Sequence, residues 1–238
     1  MDIVESIKHI FLDTGAGWVM WLLAGLSVAS VAVTIERWWV YRQAAGDLNS
    51  LSLGLQQKLA EGGELETAQW LESSASMAAR VAAAGLRLSS RGPAAVNKAM
   101  VSRTALERDR LERKLAFLGT LGNNAPFIGL FGTVIGVIQA FEELGRTSAA
   151  GAAMAGQVAS GAVMSAIAEA LVATAVGIAV ALPAVAAYNY LQQRVEQMLS
   201  GVEVLSNLVL AYLESEPRRT RALDGDGRQS GKQTHAEG

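Results

Sequence analysis

Three long runs of this chain carry almost no charge, and they restrict its folding choices more than any other feature. The first is GAGWVMWLLAGLSVASVAVTI, residues 15 to 35, closed by ERWWVYR. The second, LAFLGTLGNNAPFIGLFGTVIGVIQAF, covers 115 to 141, and the third runs from 161 to 191 with Glu169 as its only charge. A helix rising about 1.5 Å per residue needs roughly 20 residues to cross about 30 Å of hydrocarbon, and each run meets that length. Hydrophobic residues make up 51% of the 238 and charged ones only 18%. The chain therefore reads as an all-α membrane protein with three transmembrane helices.

The leader MDIVESIKHIFLD is acidic where a cleavable signal is basic, so the first span is expected to be retained. Its Ile3, Val4, Ile7, Ile10 and Phe11 share one helical face, which suits a short helix lying in the membrane interface or simply capping the first span. Lys and Arg set the orientation. Residues 1 to 16 and residues 142 to 160 carry one each, the segment from 36 to 114 carries twelve, and 192 to 238 carry six. The N-terminus is thus expected outside, with the long loop and the C-terminal tail in the cytoplasm.

The resulting organisation is an amphipathic helix on the outer side at 1–14, transmembrane helix 1 at 15–40 and a cytoplasmic helical loop at 41–114. Transmembrane helix 2 follows at 115–141, then an outer loop at 142–160 and transmembrane helix 3 at 161–191. A cytoplasmic helical extension at 192–216 and a disordered tail at 217–238 complete it. Inside the loop, apolar residues recur at three and four residue intervals, broken by EGGE and by RGP at 91 to 93. From Ala94 a charged helix is expected to enter the second span without interruption, as one helix of about 45 residues. Its ERDRLERK stretch alternates acid with base and interleaves no aromatic, which favours a solvated face over nucleic-acid binding. The tail is poor in apolar residues and rich in glycine and charge, the composition of disordered chain.

Several chemistries are excluded. There is no cysteine, hence no disulfide framework or thiolate metal site. The two histidines, His9 and His235, lie near the chain ends and leave nothing for a histidine metal centre or catalytic triad. An intramembrane protease needs paired aspartates, a Ser/His pair or HExxH, whereas the spans hold one acid and no histidine. No catalytic residue, metal or cofactor is expected.

The polar residues inside the spans carry the functional information. A carboxylate in a membrane helix costs a few kcal/mol, so Glu169 is expected to face a protein interior or a wet cavity. There it is a candidate to bind and release protons. Its other reading is a packing residue paired with a polar group. Thr174 lies about 140° around the helix from Glu169, with small residues Ala166, Ala170, Gly177 and Ala181 along or near its stripe. The second span offers Asn123 and Asn124, then Thr133 within GLFGTVIG. Pro126 and Pro183 each remove one helical hydrogen bond and are candidate kinks.

NNAPFIGLFGTVIGVIQAF followed by IAEALVATAVGIAVALPAVAAYN closely resembles the MotA/TolQ/ExbB proton-channel family, within it the ExbB and TolQ branch. Small departures are VMSAIAEAL where relatives often read APGIAEAL, and GTVIG for GTVWG; neither touches the threonines or the glutamate. The resemblance implies a homopentameric pore in the bacterial inner membrane, lined by the second and third spans. It also implies two copies of an ExbD/TolR-like single-span partner whose aspartate carries the proton. Proton motive force would then drive a mechanical motion delivered to a TonB-like or TolA-like protein; a gliding-motility stator of the same family is the other alternative. By motif, Thr133, Thr174 and Glu169 become the proton pathway and pore lining. Polar groups there hold water and meet the partner's carboxyl, while the apolar remainder prevents a free leak.

Overall fold

The computed structural model describes residues 17–61, 63–149 and 155–230. Among these residues every regular element is helical. In chain order they are α1 (Gly17–Ala45), α2 (Leu48–Ala60), α3 (Glu64–Glu72), α4 (Met77–Leu86), a 3-10 turn (Ser89–Arg91), α5 (Pro93–Glu112), α6 (Leu115–Ala149) and α7 (Ala155–Ser230). α1, α6 and α7 contain the stretches long and apolar enough to cross a membrane. The all-α membrane architecture with three spans is as the sequence indicated. The leader and residues 231–238 of the tail lie outside the described residues.

The chain divides into two compact units, Met1–Arg37 with Lys114–Leu191 and Trp38–Arg113 with Gln192–Gly238. In the first, α1, α6 and α7 share a core of Val19, Leu23, Leu121, Ala125, Ile135, Val180, Ala181 and Ala184. Their other faces stay apolar yet open: Phe127, Val134 and Ile138 on α6, and Leu171, Ile178 and Leu182 on α7, are all exposed. Such a surface is stable against lipid or other apolar helices, not against water.

The second unit is built around α4. Eight of its ten residues are buried, and apart from Arg80 it is apolar, as a central helix must be. Gly85 allows α5 to approach it, since a Cβ there would lie 2.5 Å from Met100 Cγ. α7 contributes Val195, Met198, Val202, Leu205 and Val209, three or four residues apart on one buried stripe. Glu107, only 3% exposed, joins α4 to α5: Arg80 donates to it at 2.9 and 3.3 Å, and Arg103 at 2.7 Å. Burial works to raise the Glu107 pKa, but the Arg80 hydrogen bond and the charges of Arg80, Arg103 and Arg110 outweigh it and hold the carboxyl below the usual range.

Several local expectations are revised. The single long helix from Ala94 is instead two, α5 and α6, separated by a turn at Arg113 and Lys114. Tyr41 Oη donates to Leu111 O at 2.8 Å, occupying the carbonyl that an unbroken helix would offer to the amide of residue 115. Lys114 departs to Glu36, at 2.6 Å. The breaks at EGGE and RGP are present, and Gly92 supplies the positive φ of 88° that precedes Pro93 at the start of α5. A further break falls at 73–76, where Ser73 Oγ donates to Trp70 O and Ser74 Oγ accepts from the Ser76 amide. These serines compete with the helical backbone for its own partners. Much of the segment read as a loop at 142–160 belongs to the ends of α6 and α7, which its alanines favour. α7 also continues helically past Pro217 to Ser230, where composition suggested disordered chain.

Candidate functional site

The site is set by how closely α6 and α7 approach. Gly129, Gly132 and Gly136 place a side-chain-free ridge on α6, and Ala170, Ala173 and Gly177 face it from α7. A Cβ on Gly129 would come within 2.7 Å of Ala173 O, and one on Gly177 within 2.7 Å of Ala125 O. These are backbone atoms, so the helices touch main chain to main chain. The stripe of Ala166, Ala170, Gly177 and Ala181 was legible in the sequence. Ala173, fully buried at its centre, was not singled out.

Thr174 is at this crossing, half-buried, and its hydroxyl donates to Gly129 O at 3.1 Å. It bonds the partner helix, not its own. Thr133, one turn beyond Gly129 on α6, donates to Leu130 O in its own helix at 2.6 Å. The two threonines thus hold different positions in the structure, which spacing alone did not distinguish. Both keep oxygen lone pairs as acceptors. Asn124 is exposed and donates to Thr120 O at 2.7 Å, and Asn123 is exposed as well. Pro126 and Pro183 lie within unbroken α6 and α7.

Glu169 is exposed on the single chain. Its place on α7, turned well away from Thr174, follows from the five-residue separation. The carboxylate lies near the start of the described part of α1: a Cβ added at Gly17 would sit 3.7 Å from Glu169 Oε1. Glycine at that position carried no signal in the sequence. Among the described residues no group of three or more His, Cys, Asp or Glu could hold a metal ion.

Three apolar helices, two of them in main-chain contact and one of those two bearing a carboxylate within its apolar stretch, define a helical membrane protein. The profile of the MotA/TolQ/ExbB proton channel family matches residues 73–204, more than half of the chain, and the chain belongs to that family. Relatives include the Tol-Pal system protein TolQ of Pseudomonas aeruginosa, 40% identical over 104 residues, 44% of this chain and 42% of that protein. The biopolymer transport protein ExbB of Neisseria gonorrhoeae is 39% identical over 98 residues, 41% of each chain. The TolQ protein of Haemophilus influenzae is 48% identical over 89 residues, 37% of this chain and 36% of that protein. The matched segments thus span about two fifths of the length of these curated relatives.

Proposed function

We propose that the chain is the pore-forming subunit of a bacterial inner-membrane motor that converts proton motive force into mechanical work. The observation that carries this reading is Glu169, the only charge in an apolar span and exposed on a lone chain. Hydrocarbon penalises an uncovered carboxylate by a few kcal/mol, so other chains must cover it. A homopentamer with α6 and α7 inward does so. The pore then holds an ExbD/TolR-like single-span partner. Thr133, Thr174 and Glu169 line the path and meet the partner's carboxyl, and the apolar remainder blocks free flow of protons. Each proton crossing about 100 mV releases roughly 2.3 kcal/mol, enough to bias rotation of a helix pair between near-equivalent positions. The work is delivered to a TonB-like protein for outer-membrane transport.

A TolQ-like role delivering work to a TolA-like protein is the second reading, favoured by relatives named TolQ at 40% and 48% identity. The test is a Thr133→Val, Thr174→Val pair and a Glu169→Gln variant in the native host. Loss of energised outer-membrane uptake with an intact complex supports the first reading, and loss of envelope integrity with uptake preserved supports the second. Full activity of the double threonine variant and of Glu169→Gln would remove the polar-lining mechanism.

A further inference from the structure

The contact between Glu169 and α1 extends the proton site to a third helix. The start of the described part of α1 packs against α6 and α7 through successive residues. Gly17 faces the Glu169 carboxylate, the Trp18 ring meets Phe131 edge-on at 6.3 Å, and Val19, fully buried, lies against Gly132. A Cβ at Gly132 would stand 3.3 Å from Val19 Cγ1, so this stretch of α1 packs closely against α6. Charged neighbours are few. α1 has none from Gly17 through Ile35, and α7 has none but Glu169 from Gly161 through Gln193. α6 has none between Lys114 and Glu142; Glu142 and Glu143, under two turns past Gly136, have contacts of their own.

We propose that Gly17 is a positioning residue for Glu169, and that α1 through this contact takes part in the proton-linked step. The inference rests on the reading of Glu169 as a proton-exchanging group. With no side chain at 17, the space between the α1 backbone and the carboxylate stays open. A methyl group at 17 makes ordinary van der Waals contact with Oε1 at 3.7 Å, whereas a branched side chain occupies the carboxylate's place. Gaining or losing a proton there changes what α1 touches, and such a difference is what lets proton binding shift the helix between states.

The test uses the full chain in vesicles with Gly17→Cys, reacted with cationic and anionic methanethiosulfonates across pH, with Glu169 present or as Glu169→Gln. The ratio of cationic to anionic rates cancels the thiol's own ionisation. It should rise at least about threefold as the neighbouring carboxylate ionises, and stay level in the Glu169→Gln background. Equal ratios in both backgrounds overturn the contact. In parallel, Gly17→Leu should shift the pH profile of proton-driven function. Gly25→Leu, added where nothing lies within 4 Å, should follow the parent. A Gly17→Leu profile matching that of Gly25→Leu overturns the positioning role even where the labelling is coupled. Coupled labelling together with full activity of Glu169→Gln would instead sink the proton-exchange reading and leave the contact standing.

Discussion

Thr133 and Thr174 are the same residue type in similar apolar surroundings, yet their hydroxyls bond different helices, and this separates their expected behaviour. Valine keeps the shape of threonine and removes the donor. At Thr174 the loss breaks a bond between α6 and α7, a kind that contributes about 0.6 kcal/mol on average and up to about 1.7 in membrane bundles. At Thr133 it breaks only a bond within one turn. Thr174→Val should therefore lower thermal stability in detergent measurably while Thr133→Val leaves it nearly unchanged; equal shifts would refute the distinction. Glu107 yields a second prediction. Its pKa lies below the ordinary glutamate value of 4.5 in the folded chain, so its ionised form stabilises the fold above that pH. That stabilisation disappears as pH falls through the lower folded value. Glu107→Gln should cost about 1 to 3 kcal/mol at pH 7, towards the lower end because Arg80 and Arg103 are partly open to water. The difference from the parent should shrink below pH 4.5, and denaturant titrations at pH 7 and pH 4 measure it.

Among the helices, glycine placement decides what can pack. Gly177→Ala brings a Cβ within 2.7 Å of Ala125 O and 2.9 Å of Gly129 Cα, atoms that move only if a helix moves. Overpacking of this kind typically costs about 1 to 3 kcal/mol. Gly25→Ala adds the same methyl group to open space. The first variant should lower the melting temperature of the purified protein and the second should not, so indistinguishable melting curves would show that the main-chain contact is not limiting. The turn at Arg113 and Lys114 also belongs to this scale. No glycine or proline marks it, and the interruption coincides with a tyrosine seventy positions upstream taking a helical carbonyl. Reading along α5 and α6 alone could not find it.

For the whole molecule, the proposed orientation and assembly are directly measurable. A cysteine at Ser74 should be shielded from an impermeant thiol reagent in intact cells, and one at Ser148 should react. The reverse pattern overturns the orientation argued from Lys and Arg. In mild detergent, native mass spectrometry should find five copies of the chain together. Monomers and dimers alone, across several detergents, would leave the exposed apolar faces of α6 and α7 and the carboxylate of Glu169 without the cover that the proposed pore would provide.

The sequence by itself determined the three apolar spans, the all-helical class and the small-residue stripe of α7, because each is a local property of period, length and composition. It also marked Glu169 and both threonines, since a polar group within an apolar run stands out without any knowledge of its neighbours. Only the tertiary structure decided what those groups touch. Thr174 finds the Gly129 carbonyl, Glu169 finds Gly17, and Leu111 gives its carbonyl to Tyr41. Each contact joins residues far apart in the chain. Two of the three are made with backbone carbonyls and the third with a glycine, groups that carry no side-chain signal a sequence could display.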